Sequence, residues 1–512
     1  MAFERPGVYV REAPAQTQVA ASNTATAAAF LGTALRGPTS PVLINSWSSY
    51  VENFGPLSND YDLGYAIYQF FANGGRDAFV TRIARSDASS SAAAFAGTSG
   101  GSPATLFTLT AKSVGTWSNS TGTGVGLRAT VTYSLPTLTS STSSTALVNA
   151  NTLFSLVLSY NGQEIERWQE LSLDPTSGRY IKDVLNLLST YVTCSTPLTI
   201  ASGSSVTMAV ATDTLDTVVG FTAGSEGVAA IDATTWDTAI KKYDTVTAPL
   251  LINFVGQTSS TTVDKALDYA ASRGDSFVVI DCGLSADAST VNATFGTNKG
   301  YGAVYFPALQ MADPARSGPA AIRTTFPGGA VIGAFIRSET TRGVAKAPAG
   351  YSLDLRNVYG LAVSVTEAQE ATLYNTKHVN VFRSLPGGTF VINGARTLSF
   401  TTPDKFITVR RTMNYLKNLL KAQTAFAVFE PNDERLWTRI NVGLSQTLTN
   451  FWANGNLKGS SASEAFYIIC DETNNTPSTI NDGYVNVQVG VSVLSPAEFV
   501  VITISQWAGE TV

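Results

Sequence analysis

The composition of the chain breaks sharply at residue 86, and this break limits the possible folds more than any other feature. From Ser86 to Gly162 only Asp87, Lys112 and Arg128 carry charge, and Ser, Thr and Gly dominate. Stretches such as GVGLRATVTYSL and TLFSLVLSYNGQEIERW alternate apolar with polar residues, the period of antiparallel strands with one buried face. The flanks read differently. Residues 23–86 resolve into a buried strand through ATAAAFLGTA, a strand and short helix in VLINSWSSYVENFG, and a helix with Leu63, Ile67, Phe70 and Phe71 at helical spacing. Gly74-Gly75 cap that helix before a strand over residues 78–83. Residues 223–351 alternate helices (TWDTAIKKY, VDKALDYAASRG) with buried strands (APLLINFVG, SFVVIDCG, GYGAVYFPAL), the rhythm of a parallel sheet. The block 87–222 is therefore predicted to be a β-rich domain, with one helix near 181–188, inserted into an α/β chain.

Both ends of the chain carry strands with no local partner. Pro6, Gly7 and Pro14 bracket Val8, Tyr9, Val10, Arg11 and Glu12. The C-terminal VNVQVGVSVLSPAEFVVITISQW is split by Ser495-Pro496 into two strands, the second holding Phe499, Val500, Val501, Ile502 and Ile504. An isolated hairpin is marginal in water and a single strand more so, so these segments must add to a sheet in this chain or in another. Between them, Phe406, Val409, Met413, Leu416 and Leu420 form the apolar stripe of one helix. Leu436, Ile440, Leu444, Leu448 and Phe451 form that of a second. Arg410, Lys417 and Lys421 share the other side of the first helix, either as a solvated face or as a cationic face for an acidic partner.

Composition removes most catalytic chemistry. Lys and Arg number 33 against 38 Asp and Glu, a net charge of −5, which argues against a nucleic-acid partner. Charged residues make up 14%, well below the ~25% of an ordinary soluble domain, so the polar surface is largely neutral and suits packing against neighbours. No stretch of ~18 apolar residues occurs, so membrane insertion and a secretory leader are not expected. His378 is the one histidine, which excludes a metal site with two His ligands within one chain. Cys194, Cys282 and Cys470 are widely spaced and read as reduced core residues. No phosphate-binding GxxxxGK[ST] is present, and no cofactor is expected. Ser276–Gly283, a buried strand ending in Asp281, resembles the strand that carries the acid of a subtilisin triad. However, His378 has no glycine beside it and no Gly-Thr-Ser turn follows, so Asp281 is expected to cap a loop. Gly328-Gly329 and Gly387-Gly388 read as turns, and Asp433-Glu434 as the start of the second long helix.

A series of short segments in fixed order resembles the tail sheath proteins of contractile bacteriophage tails and related injection systems. It runs through Pro6–Glu12, Ala29–Ala34, Arg36-Gly37-Pro38, Phe54-Gly55 and Phe70–Gly75. It continues through Arg273-Gly274-Asp275, Tyr305-Phe306-Pro307, Lys346–Gly350, Gly394-Ala395-Arg396-Thr397 and Val409-Arg410-Arg411. Phe429–Asn432, Leu436-Trp437, Cys470–Thr476 and Pro496-Ala497-Glu498-Phe499 complete it. Residues 87–222 carry none of these marks.

The resemblance implies an α/β multidomain structural subunit with no enzymatic activity, the alternative being a hydrolase related to subtilisin-like enzymes. It implies an N-terminal arm (1–22), a tube-proximal domain built from 23–86 and 352–485, and the inserted β-rich outer domain (87–222). It also implies a subtilisin-like α/β domain (223–351) and a C-terminal strand arm (486–512). The implied partners are further copies of the chain in stacked hexameric rings, a tail tube protein, and baseplate and tail terminator proteins. Assembly in the host cytoplasm and residence in the virion tail follow. The strand arms above are implied to join neighbouring subunits, with Arg410, Lys417 and Lys421 as candidate tube contacts.

Overall fold

The computed structural model describes residues 26–498, apart from 100–101, 123, 134–136, 139–144, 150–151, 201–204, 210–215, 317, 319–320 and 402–403. The arm residues Val8–Arg11 and Phe499–Ile504 lie outside the described residues. Two compact units are present. One holds Thr26–Thr412 and resumes at Ser495; the other holds Met413–Leu494.

The larger unit is organised on a nine-stranded sheet. In chain order its strands are β1 (Ala27–Gly32), β2 (Val42–Ile44), β3 (Ala78–Arg82), β4 (Leu250–Phe254), β5 (Phe277–Asp281), β6 (Gly302–Phe306), β7 (Asp354–Leu355), β8 (Val379–Leu385) and β9 (Thr389–Asn393). In space they run β7-β9-β8-β6-β5-β4-β1-β3-β2. The six from β8 to β3 are mutually parallel, and β2, β9 and β7 are antiparallel edges. A parallel sheet needs cover on both faces, and the side-chain alternation supplies it. Ala28 and Phe30 of β1, Val279 of β5 and Tyr305 of β6 face the helices α1 (Leu63–Ala72) and α4 (Gly328–Arg342). Ala29, Leu31, Ile252, Ile280 and Val304 face the other way, onto α2 (Ala233–Lys241) and α3 (Ser260–Arg273).

Two sequence expectations change here. Residues 23–86 and 223–351, expected as parts of separate domains, share one sheet, because β1 lies between β4 and β3. The segment after 351 does not begin a new domain either, since β7, β8 and β9 complete the same sheet and the unit boundary falls at 412/413. Strand-and-helix alternation fixes the class of sheet but not which parallel strands are neighbours. Gly328-Gly329 is also a helix start instead of a turn. A side chain at Gly329 would lie 2.0 Å from the Ala66 carbonyl oxygen, and one at Gly333 2.5 Å from that of Phe70, so glycines let α4 pack directly on the α1 backbone.

The stretch 87–222 is antiparallel throughout its described strands. Gln163–Leu171, Phe154–Tyr160, Leu127–Tyr133 and Asp216–Gly220 form one sheet. Val192–Cys194, Ser102–Ala111, Ala92–Ser99, Val206–Ala209, Thr145–Val148 and Thr137–Leu138 form another. Both contribute to one apolar core that includes Phe95, Phe107, Leu127, Phe154, Leu158 and Phe221, with Ile181, Val184 and Leu185 of the helix Ile181–Leu188. Where this block joins the large sheet, Arg82 at the end of β3 is 2% exposed. It donates to Ala34 O (2.9 Å), Ser113 Oγ (3.2 Å) and Val114 O (2.8 Å), and pairs with Glu226 (3.3 Å). Asp87 accepts from the N–H groups of Val228 (2.8 Å) and Ala229 (3.0 Å), clamping the entry of the block to its exit.

Candidate functional site: the C-terminal assembly elements

The Met413–Leu494 unit rests on two helices, α5 (Ile407–Thr424, whose first turns belong to the larger unit) and α6 (Glu434–Ala453). Asp433 caps α6 by accepting from the N–H groups of Arg435 and Leu436. Leu436, Trp437, Ile440 and Leu444 of α6 bury against Cys470, Ile468 and Val489. These last belong to or adjoin a two-stranded antiparallel sheet, β10 (Phe466–Ile469) and β11 (Gln488–Val491), in which Tyr467 lies opposite Gly490. The Tyr467 ring occupies the space of a missing side chain: a Cβ on Gly490 would come within 2.1 Å of it.

The Asp/Asn-rich turn after β10 ties the two strands together. Asn474 Nδ2 donates to Ile469 O (2.8 Å) and Asn486 O (3.0 Å), and the Asn486 N–H donates to Asn475 Oδ1 (2.6 Å). Among the described residues β10 and β11 pair only with each other as strands, with Leu457 bridging to Val493 just past the end of β11.

The cations of α5 divide. Arg410 is paired with Asp404 and its guanidinium lies 4.4 Å from the centre of the Tyr301 ring, so it is committed to its own chain. Lys417 and Lys421 are exposed. Of the expected apolar stripe, Val409 and Leu416 are buried and Met413 and Leu420 half-buried, while the half-buried Phe406 lies just before the helix and bridges to Arg396. The loop between α5 and α6 holds a feature with no sequence signature: Phe429 has a positive φ of 66° and is fully exposed.

The residues that raised the question of catalysis are occupied elsewhere. Asp281, 2% exposed at the end of β5, accepts from Asn253 Nδ2 (3.1 Å) and from the N–H groups of Gly256 (3.0 Å) and Gly328 (2.7 Å). It thus caps one loop and the first turn of α4. Burial pushes its carboxyl up to about 6 against the pull of these three donors. His378 is also buried, with Nδ1 3.2 Å from Thr397 O and its ring stacked on Phe400 at 4.0 Å. Burial lowers its pKa. Cys194, Cys282 and Cys470 are buried free thiols. No cluster of three or more His, Cys, Asp or Glu suited to a metal ion occurs among the described residues, and no described helix is long and apolar enough to cross a membrane.

Residues 401–506 match the family model of the phage tail sheath C-terminal domain. The chain is 31% identical over 153 residues to the tail sheath protein of Enterobacteria phage T4, a match covering 30% of this chain and 22% of the relative. The chain therefore spans about a fifth of that curated relative's length. The sheath complex of an extracellular contractile injection system in its contracted state superposes with a TM-score of 0.57 at 18% identity, covering 99% of both chains. The sheath tail protein Lin1278 of Listeria innocua does so with a TM-score of 0.60 at 12% identity, covering 89% of this chain and 91% of that one. The fold is thus that of sheath proteins over nearly the whole chain, and the family-model match lies in the part that carries α5, α6 and the β10–β11 sheet. The segment 401–506 is similar to the C-terminal domain of phage tail sheath proteins, and the chain as a whole shares their fold.

Proposed function

We propose that the chain is the structural subunit of a contractile sheath, polymerising as stacked hexameric rings around a tail tube and shortening to drive that tube through a host envelope. The observation that carries this reading is the two-stranded β10–β11 sheet inside the segment matched by the sheath C-terminal domain. Two strands are too few to be stable alone, and an open edge accepts a third strand through main-chain hydrogen bonds. Strands Val8–Arg11 and Phe499–Ile504, supplied by neighbouring subunits, are the proposed complement. Such a link bends without breaking, as a contracting lattice requires.

In this reading the 413–494 unit lies toward the tube and 87–222 toward the outside. Lys417 and Lys421 face an acidic tube surface, with Arg410 contributing only if its pair with Asp404 opens. The larger unit keeps a subtilisin-like sheet without its chemistry: Asp281 and His378 hold backbone groups, and no hydrolysis is expected. Partners are further copies of the chain, the tube protein, and the baseplate and terminator proteins at the two ends. Negative-stain microscopy of the purified full chain tests the proposal. Striated tubes support it; monodisperse monomers with peptidase turnover that vanishes in Asp281→Ala or His378→Ala overturn it.

A further inference from the structure

Glu498 is the last described residue before the proposed C-terminal arm, and it is gripped. Arg396 donates to it through Nε to Oε1 (2.9 Å) and through Nη2 to Oε2 (2.7 Å), a bidentate pair. The Tyr374 hydroxyl donates to the same Oε1 at 2.5 Å, and the Arg396 guanidinium lies 4.0 Å from the centre of the Tyr374 ring. The remaining guanidinium nitrogen, Nη1, donates to Tyr374 O (3.0 Å) and Asn375 Oδ1 (3.2 Å). The backbone of Arg396 is fixed as well, through Asn380, which accepts from its N–H and donates to its carbonyl, both at 2.8 Å. The two side chains of the ion pair are only 5% and 12% exposed.

This is a built carboxylate pocket. Glutamine in place of Glu498 would present a donor to Arg396, and aspartate would be one methylene short. The partners are 102 residues apart in sequence, and the whole Met413–Leu494 unit lies between them. Ser495 and Ala497 beside the pocket's ligand are exposed, so this segment is held through Glu498.

We propose that the Arg396–Tyr374 pocket is a binding site for the Glu498 carboxylate that moors the root of the C-terminal arm to the large sheet. Tension on an arm gripped by a neighbouring subunit then passes into β8 and β9, which lie between Tyr374 and Arg396 in sequence, instead of unravelling the 413–494 unit. The inference rests on the strand-exchange reading of the arm.

The test uses full-length Glu498→Gln, Arg396→Lys and the exchanged pair Arg396→Glu with Glu498→Arg. Each is followed by thermal denaturation, by amide exchange over residues 490–498 and by microscopy of tubes. Glu498→Gln is expected to keep the main thermal transition and to exchange about tenfold faster at 494–498, because bonds to charged groups hold a segment by at least that factor. It should form few or short tubes. Arg396→Lys should fall between it and the parent, and the exchanged pair should regain part of the assembly. Unchanged exchange and normal tubes in Glu498→Gln overturn the mooring, as does loss of the main transition, which would make the pair an ordinary stabiliser. Deleting 499–512 with Glu498 retained separates the two ideas. Normal tubes from that deletion defeat strand exchange itself, whereas blocked assembly there with normal tubes from Glu498→Gln defeats the mooring alone.

Discussion

The β-rich block 87–222 and the Met413–Leu494 unit are built on opposite plans. Every described Phe, Tyr and Trp of the block is at least partly buried, its strands pair among themselves, and buried Arg82 fastens it to the large sheet. The C-terminal unit leaves Phe426, Phe429, Tyr467 and Tyr484 exposed, and among the described residues its sheet has two strands. Exposed aromatics and open strand edges are liabilities in a monomer and useful in a polymer. The contrast sets a closed region beside one that, in the proposed reading, neighbours complete.

The strongest way to break the contrast is to remove the arms. Deleting residues 1–15 or 499–512 should abolish tubes while leaving a soluble subunit with its thermal transition intact; normal tubes would mean that the C-terminal unit needs no completion. A core truncation in the block should do the reverse. Phe154 is fully buried and stacks on Phe107 at 5.9 Å, so Phe154→Ala should cost ~3–5 kcal/mol of stability in that block, read by calorimetry, with tube formation preserved.

Acid should then separate two carboxylates within the larger unit. Burial favours the proton on Glu498, but the hydrogen bonds from Arg396 and Tyr374, helped by Lys405, outweigh it and hold its carboxyl below the usual value. Its contribution is therefore present above about pH 4.5 and is lost as pH falls through the lower folded value. The difference in amide protection at 494–498 between the parent and Glu498→Gln should close below that pH. Asp281 has the opposite sign: raised to about 6, it favours folding most below its ordinary 3.8 and loses that contribution as pH rises through about 6.

The smallest effect is expected at Lys417 and Lys421. Exposed ion pairs are worth only ~0.2–1 kcal/mol each, so reversing both charges should leave the subunit's stability unchanged and lower the salt concentration at which tubes lose their core. Unchanged salt sensitivity would move the tube contact elsewhere.

Local patterns read well from sequence because they depend on nearby residues. The stripe through Val409 and Leu416, the helix at 181–188, the Asp433 cap and the capping role of Asp281 all follow from spacing or residue type. Long-range partnership was not legible. Nothing in ATAAAFLGTA says that it pairs with APLLINFVG, and nothing in GART says that its arginine meets the glutamate of PAEF. The exposed Phe429 at positive φ was equally silent, since a Phe in a loop carries no sign of its backbone angle. Arg410 shows the limit of face arguments: its helical position is right for an outward cation, yet its side chain turns to Asp404 and Tyr301.

The place of β1 between β3 and β4 also has a consequence for synthesis. Once β1 has left the ribosome, about 220 more residues must follow before its second neighbour exists, a wait of roughly 10–45 seconds at ordinary elongation rates. The block 87–222, whose pairings are internal, can fold during that interval, whereas the sheet stays unfinished until β8 and β9 arrive. Of the elements proposed to couple subunits, Val8–Arg11 is translated first, but β10, β11 and the C-terminal strand come later still. Translation order therefore acts as a clock: the surface proposed to polymerise is complete only after the body that would carry its load.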